Sequence, residues 1–190
     1  MKNIIVITVK LLVITIVAGL VLGIVNAVTK EPIAEQQRIA ADNARKAAFA
    51  EASAFEQMDV DIPEEYAIIQ NVYSVLDANG DAIGIVAGVV TKGYSSGLNL
   101  TVGIGADGTI KGVIVGDHEE TPGLGAKAAG EWSTQFQGKP IDNPLVVVKS
   151  AANDTYDIEA ITSATITSKG VTDAVNTVAA FYKDVIGGAQ

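Results

Sequence analysis

Cysteine is missing from the 190 residues of this chain, and histidine occurs once. The first absence excludes disulfides, thiolate zinc sites, iron–sulfur ligands, cysteine nucleophiles and a lipoprotein-type cysteine anchor together. It leaves the redox compartment open. Basic residues are scarce as well: 13 Lys and Arg stand against 22 Asp and Glu, for a net charge of −9. The first thirty residues hold Lys2, Lys10 and Lys30 and no acid, so they contribute +3 and the remainder carries −12. An acidic body with no basic, aromatic-interleaved patch excludes recognition of a nucleic-acid backbone. No internal repeat or low-complexity tract occurs. What is plentiful is apolar material, 48% of the chain, enough to build a core rather than a disordered coil. The length fits one domain plus an appendage.

The appendage is N-terminal. Leu11 to Val28 is an 18-residue run without a charge, preceded by the apolar stretch Ile4–Val9 and Lys10. Such a run is near the lower limit for crossing a hydrocarbon layer of about 30 Å. Lys10 can lay its stem along the helix and hold its ammonium at the interface. A cleaved signal peptide is the competing reading, with a small-residue end at Val25-Asn26-Ala27, but its apolar core is normally shorter. Either way the body crosses. Lys2 and Lys10 precede the run, so the positive-inside bias keeps the N-terminus cytoplasmic and places the body on the outer face of a single-pass protein. Gly19 and Gly23 form a GxxxG spacing that lets a second helix approach. No acid or base interrupts the run, which speaks against ion passage through this helix alone.

The expected organisation is an anchor over 1–30, a helical stalk and linker over 31–65, and a folded body over 66–190. Good helix formers predict a helix over Ile33–Met58, and Pro63 with its acidic neighbours marks a linker over Asp59–Glu65. The period then changes. Ala67–Leu76 and Ile83–Val90 are β-branched runs separated by Asp77–Asp81, whose Asn79-Gly80 is a strong hairpin signal. Leu98–Ile104 and Ile110–Val115 form a second pair around the turn Gly105–Gly108, and Leu145–Lys149 is a further strand. Helices are expected over Ala126–Phe136 and Ile166–Val185, the second with Val171, Ala174, Val175, Val178 and Phe181 on one face. The fold class is α+β: an N-terminal transmembrane helix, then a mostly antiparallel sheet with flanking helices.

Five hydroxyls crowd into seven positions just before that last helix: Thr162, Ser163, Thr165, Thr167 and Ser168, around Ala164 and Ile166. A helix start collects unpaired amides and the positive dipole end, and Lys169 adds a charge one turn on. A phosphate is stabilised in such a place. Ser and Thr are ordinary caps, but a cap needs one hydroxyl and Thr is a poor interior helix residue. The excess points to a ligand or a modification. Upstream, Gly116–Lys127 reads GDHEETPGLGAK. Thr121-Pro122-Gly123-Leu124-Gly125 gives a stiff turn followed by two glycines, where backbone amides can approach a flat ring or a phosphate. Glu119 and Glu120 are poor phosphate partners and are better suited to orienting the loop or accepting from the neighbours of Thr165. His118 reads as a loop hydrogen-bonder. Tyr94, in Gly93–Gly97, and Trp132 are aromatics able to stack on a ring or to fill core. Lys149 either reaches a phosphate or ends a strand.

These two stretches carry a family resemblance. Thr162–Ser168 resembles the [S/T]-G-A-T-x-[S/T]-S signature of the FMN-binding domain family, and His118–Gly125 resembles its H-x-E-T-P-G-L-G loop. The resemblance extends over the anchor, the hairpins, both motifs and the final helix. Members of the family are the G subunit of Rnf-type ion-translocating ferredoxin:NAD oxidoreductases and the related C subunit of sodium-pumping NADH:quinone reductases. The chain's modest length and short insert look more like the former. Two departures stand out: the family has Gly where this chain has Ser163, and Asp where it has Glu159.

The resemblance implies FMN as cofactor, esterified through its phosphate to Thr165 by a separate flavin transferase that uses FAD and a metal ion. It implies a cofactor site that includes Thr162, Ser163, Ala164, Ile166, Thr167, Ser168, Glu120, Thr121, Gly123, Leu124, Gly125 and Lys127, with no catalytic residue and no metal ligand, and the loop aromatic Tyr94 is added to it as a residue able to stack on the flavin. It implies a redox subunit without activity of its own, which carries electrons among other integral-membrane subunits of an ion-translocating complex. The alternatives from the residues alone are a membrane-anchored extracytoplasmic binding module, or a structural subunit without cofactor.

Overall fold

The structure, a computed structural model, describes residues 2–187, with side chains from residue 4. Residues 188–190 of the expected body lie outside that range. Contacts divide the chain between Asp42 and Asn43 into two compact units. The first consists of most of helix α1, Lys2–Ala48, which is continuous through Pro32. Among the described residues it is the one helix long and apolar enough to cross a membrane, and its large apolar side chains from Ile4 to Ile39 are exposed. Near its polar end Arg38 bridges Glu35 at 2.8 Å.

The second unit is built on a five-stranded antiparallel meander in the order β1 (Ala54–Gln57), β2 (Ile69–Leu76), β3 (Ala82–Lys92), β4 (Ser96–Gly105) and β5 (Ile110–Val115). The expected hairpins are there. In the first, Asp77 receives the amides of Asn79 and Asp81 on its carboxylate, and Gly80 takes φ +89°. A two-stranded parallel sheet pairs β6 (Val146–Val148) with β7 (Asp157–Glu159). Helix α2, Thr165–Phe181, packs on the large sheet and continues into a π-helical turn, Tyr182–Ile186. Its sequence is rich in Thr and Val, weak helix formers, so tertiary burial rather than propensity holds it helical. Val171, Ala174, Val175, Val178 and Phe181 are all buried against strand residues such as Ala87, Val89, Leu98 and Leu100 in one core. The Asn176 amide fixes the incoming chain by bonding both the N–H and the C=O of Leu145.

Two expectations are corrected. The helix expected through Met58 ends at Ala48, and Ala54–Gln57 is a strand, drawn into pairing with β2 by that strand's open edge. Ala126–Phe136 is not one helix but two short 3-10 segments, Gly125–Ala129 and Glu131–Phe136, because Gly130 breaks the run with φ −106° and ψ −148°. The second of these carries Trp132, whose indole N–H donates to the Glu159 carbonyl at 2.6 Å.

A polar tie closes the C-terminal end. The Tyr66 hydroxyl donates to the Asp184 carboxylate at 2.6 Å. That bond, assisted by burial and by the negative charges of Asp184 and Glu65, pushes the phenol up from 10.0 to about 12. A raised folded-state value means that the contribution to stability is complete below pH 10 and is lost as pH rises through about 12. Tyr66→Phe is therefore expected to flatten the alkaline limb of the unfolding curve between those values. Unfolding midpoints of the two chains recorded across that range would check it.

Candidate functional site

The site forms where three stretches meet at the first turn of α2. One is the β3–β4 connection, Gly93–Ser95. The second is the loop after β5, which carries Glu120–Gly125. The third is the turn Ile161–Ala164 with the first residues of α2. They enclose a cleft of ≈ 490 Å³ lined by Tyr94, Glu120, Thr121, Leu124, Gly125 and the five residues Ser163–Thr167. That volume is in the usual range for small-molecule sites, about 300–1,000 Å³.

Glu120 is the hub. It is buried, with 5% exposure, and both its carboxylate oxygens are used. Oε1 accepts the Ser95 amide at 2.9 Å and Oε2 accepts the Thr167 hydroxyl at 2.6 Å. One side chain thus ties all three stretches together. Two glycines make room for it, since a Cβ at Gly93 or Gly125 would collide with a carboxylate oxygen. Gly170 brings α2 against the end of β3 in the same way, because a Cβ there would meet the Lys92 carbonyl. The Glu120 amide in turn donates to His118 Nδ1 at 3.3 Å.

Both loops turn by the same rule. Thr121-Pro122-Gly123-Leu124 closes with Leu124 N–H to Thr121 C=O at 3.1 Å, with Gly123 at φ +78°. Ile161-Thr162-Ser163-Ala164 closes with Ala164 N–H to Ile161 C=O at 2.9 Å, with Ser163 at φ +65°. Both match a type II turn, whose third position needs positive φ and favours glycine. Ser163 is the one non-glycine residue at positive φ among the described residues. Serine does not prevent this conformation: the turn imposes it. Ser168 holds the turn from behind, its hydroxyl accepting the Ile161 amide at 2.9 Å and donating to the Ala164 carbonyl at 3.1 Å. Left-handed backbone costs an L-residue about 1–2 kcal/mol, and glycine's extra unfolded-state entropy returns about 0.5–1. Ser163→Gly is thus expected to stabilise the protein by about 0.5–1 kcal/mol, and Ser163→Val to destabilise it, in urea unfolding.

The five hydroxyls separate by role. Those of Thr167 and Ser168 are buried and committed to Glu120 and to the turn. Thr162 is exposed at the second turn position and does not line the cleft. Ser163 and Thr165 do line it. Thr165, half-buried, is the first residue of α2, and no side chain caps that helix start. The amides of Thr165, Ile166 and Thr167 lie ahead of the first helical bond, Ser168 N–H to Ala164 C=O. Of the other sequence candidates, Gly123 is at the turn apex, Lys127 and Lys149 are exposed, Trp132 is engaged with Glu159, and none lines the cleft. Gly93, Ser95 and Gly170 escape a reading of the sequence alone. Their parts depend on contacts distant in sequence, and only the glycines flanking Tyr94 hint at them.

Among the described residues, one helix long and apolar enough to cross a membrane precedes an α+β body with a ligand-sized cleft at the start of its last helix, an organisation compatible with a single-pass protein that binds a small molecule. Residues 93–180 match the family model described as FMN-binding domain. In Acetobacterium woodii, the G subunit of the Na(+)-translocating ferredoxin:NAD(+) oxidoreductase complex is 36% identical over 189 residues, 92% of this chain and 89% of that protein. In Escherichia coli K12, the G subunit of the ion-translocating oxidoreductase complex is 31% identical over 163 residues, covering 80% and 77%. The crystal structure of Shewanella oneidensis NqrC superposes with a TM-score of 0.51 at 28% identity, covering 68% of this chain and 66% of that one. The chain belongs to the FMN-binding domain family.

Proposed function

We propose that this chain is the flavin-bearing G subunit of a membrane-bound ion-translocating oxidoreductase complex, with FMN held by a phosphoester at Thr165. The supporting observation is the position of Thr165: half-buried, in the wall of the cleft, and the first residue of a helix whose start no side chain caps. The residues present fit the group. Tyr94, Leu124, Ala164 and Ile166 offer apolar surface to a flat ring, and the helix start suits a phosphate. FMN, when bound, supplies one- and two-electron transfer.

This chain's own residues bind and orient. Glu120 fixes the relative positions of the two loops and the helix start through Ser95 and Thr167. No histidine or cysteine adjoins Thr165 to activate its hydroxyl, so a separate transferase is needed. In that step Thr165 Oγ attacks the phosphorus of the FMN half of FAD, the pyrophosphate P–O bond breaks, AMP leaves and the hydroxyl proton passes to a transferase base. A tether keeps the cofactor at a fixed effective concentration on the outer face, whatever the free level. The α1 segment serves as a single-pass anchor with the N-terminus cytoplasmic, other membrane subunits surround it, and ion translocation belongs to the whole complex, the chain having no activity alone.

The test is acid precipitation of the protein purified from its native membranes, followed by intact mass. One FMN per chain retained in the pellet is expected. A pellet without flavin overturns the reading.

A further inference from the structure

The cleft wall carries one formal charge, and it is negative. Glu120 is the only ionisable acid or base among the lining residues apart from the Tyr94 phenol; no Lys, Arg or His is among them, and Lys169, exposed one turn along α2, stands outside the cleft wall. Its carboxylate is buried and bound to Thr167 in the first turn of α2. An anion therefore already occupies the surroundings of the helix start, where positive potential would otherwise be available to a phosphate. The collision of a Cβ at Gly93 or Gly125 with those oxygens shows how closely the carboxylate is packed in. Around the cleft lies a body of strongly negative net charge.

A free flavin mononucleotide brings a phosphate monoester of nearly two negative charges, with a second pKa of about 6. Once esterified to Thr165 the phosphate is a diester with one. We propose that the cleft recognises the uncharged ring system of a flavin and gives the phosphate no counter-charge, so that the ester, and not charge recognition, retains the nucleotide. The unesterified cleft then prefers riboflavin to FMN. This deepens the flavin reading of the cleft and rests on it. The amides of Thr165, Ile166 and Thr167 remain free to stabilise the single charge of the diester, which is what a helix start already shared with Glu120 can accommodate. Release after esterification requires breaking a covalent bond, so affinity for the free nucleotide is not needed.

The experiment uses the full-length Thr165→Val chain in detergent, titrated with riboflavin and with FMN by quenching of flavin fluorescence. At low salt riboflavin is expected to bind about fivefold more tightly than FMN, the size expected of partly screened like charges several ångströms apart. Added salt should strengthen FMN binding and leave riboflavin unchanged. Adding Glu120→Gln, whose amide still accepts from Ser95 and donates to the Thr167 oxygen, should bring the two affinities together. Tighter binding of FMN than of riboflavin overturns the proposal, as does binding of neither flavin. The salt dependence decides the matter if the Glu120 variant does not fold. Acid-stable flavin on the wild-type chain is scored separately, so a failure here leaves the attachment reading standing, and a wild type without flavin removes that reading.

Discussion

Thr165→Val is expected to leave the protein without any acid-stable flavin while leaving its fold intact. Valine nearly matches threonine in shape, and Thr165 is only half-buried, so the loss of its hydroxyl should shift unfolding by no more than about 0.5 kcal/mol. The chemical effect is total because the other four hydroxyls cannot substitute. Thr167 donates to Glu120 and Ser168 braces the turn, both below the surface. Thr162 does not face the cleft, and Ser163 sits on the turn ahead of the free amides. Thr162→Val and Ser163→Ala should accordingly keep one flavin per chain. Chains co-expressed with a flavin transferase, precipitated in acid and weighed intact, give the answer directly. Flavin that survives precipitation in Thr165→Val would move the attachment to another hydroxyl and discard the geometric argument.

The parts of the structure legible in the sequence are those written in local pattern. Alternating β-branched runs around Asn79-Gly80 and Gly105–Gly108 mark both hairpins, and the three-and-four spacing from Val171 to Phe181 marks α2. What is not legible depends on partners far along the chain. Ala54–Gln57 has the composition of a helix and becomes a strand because β2 offers it an edge. Asp157–Glu159 is too short to announce itself and exists through β6. The site divides the same way. Its lining comes from two stretches conspicuous for hydroxyls and glycines, with Tyr94 added. The Glu120 tie between Ser95 and Thr167, 25 residues away in one direction and 47 in the other, cannot be read from either stretch alone. The same holds for Gly93, Gly125 and Gly170, whose missing side chains matter only once the facing atoms are known.

Removing the ring of Phe49 is expected to produce a large loss of stability. Phe49 is 1% exposed and belongs to a small second cluster with Val75 and Val86, flanked by Ala52, Phe55 and Ile83. Val86 alternates along β3 with Ile85 and Ala87 of the main core, so this cluster covers the sheet face opposite α2. The strands are bare beneath it. A Cβ at Gly84 would strike the Phe49 ring, one at Gly103 would strike the Ala48 carbonyl, and one at Gly112 would approach that carbonyl to 2.9 Å. Gly103 and Gly112 stand opposite each other across β4 and β5. The glycines form a socket for Ala48–Phe49, and having no side chains of their own they cannot fill the space left by a truncated ring. Phe→Ala in such a place costs about 3–5 kcal/mol, or roughly 10 °C in melting temperature for a unit of this size. Gly103→Ala should destabilise by a smaller amount, about 1–3 kcal/mol, by forcing the same segment off the sheet. Thermal unfolding of the detergent-solubilised chains would compare them. A Phe49→Ala protein that melts within about 2 °C of the wild type would show that the segment does not anchor the sheet.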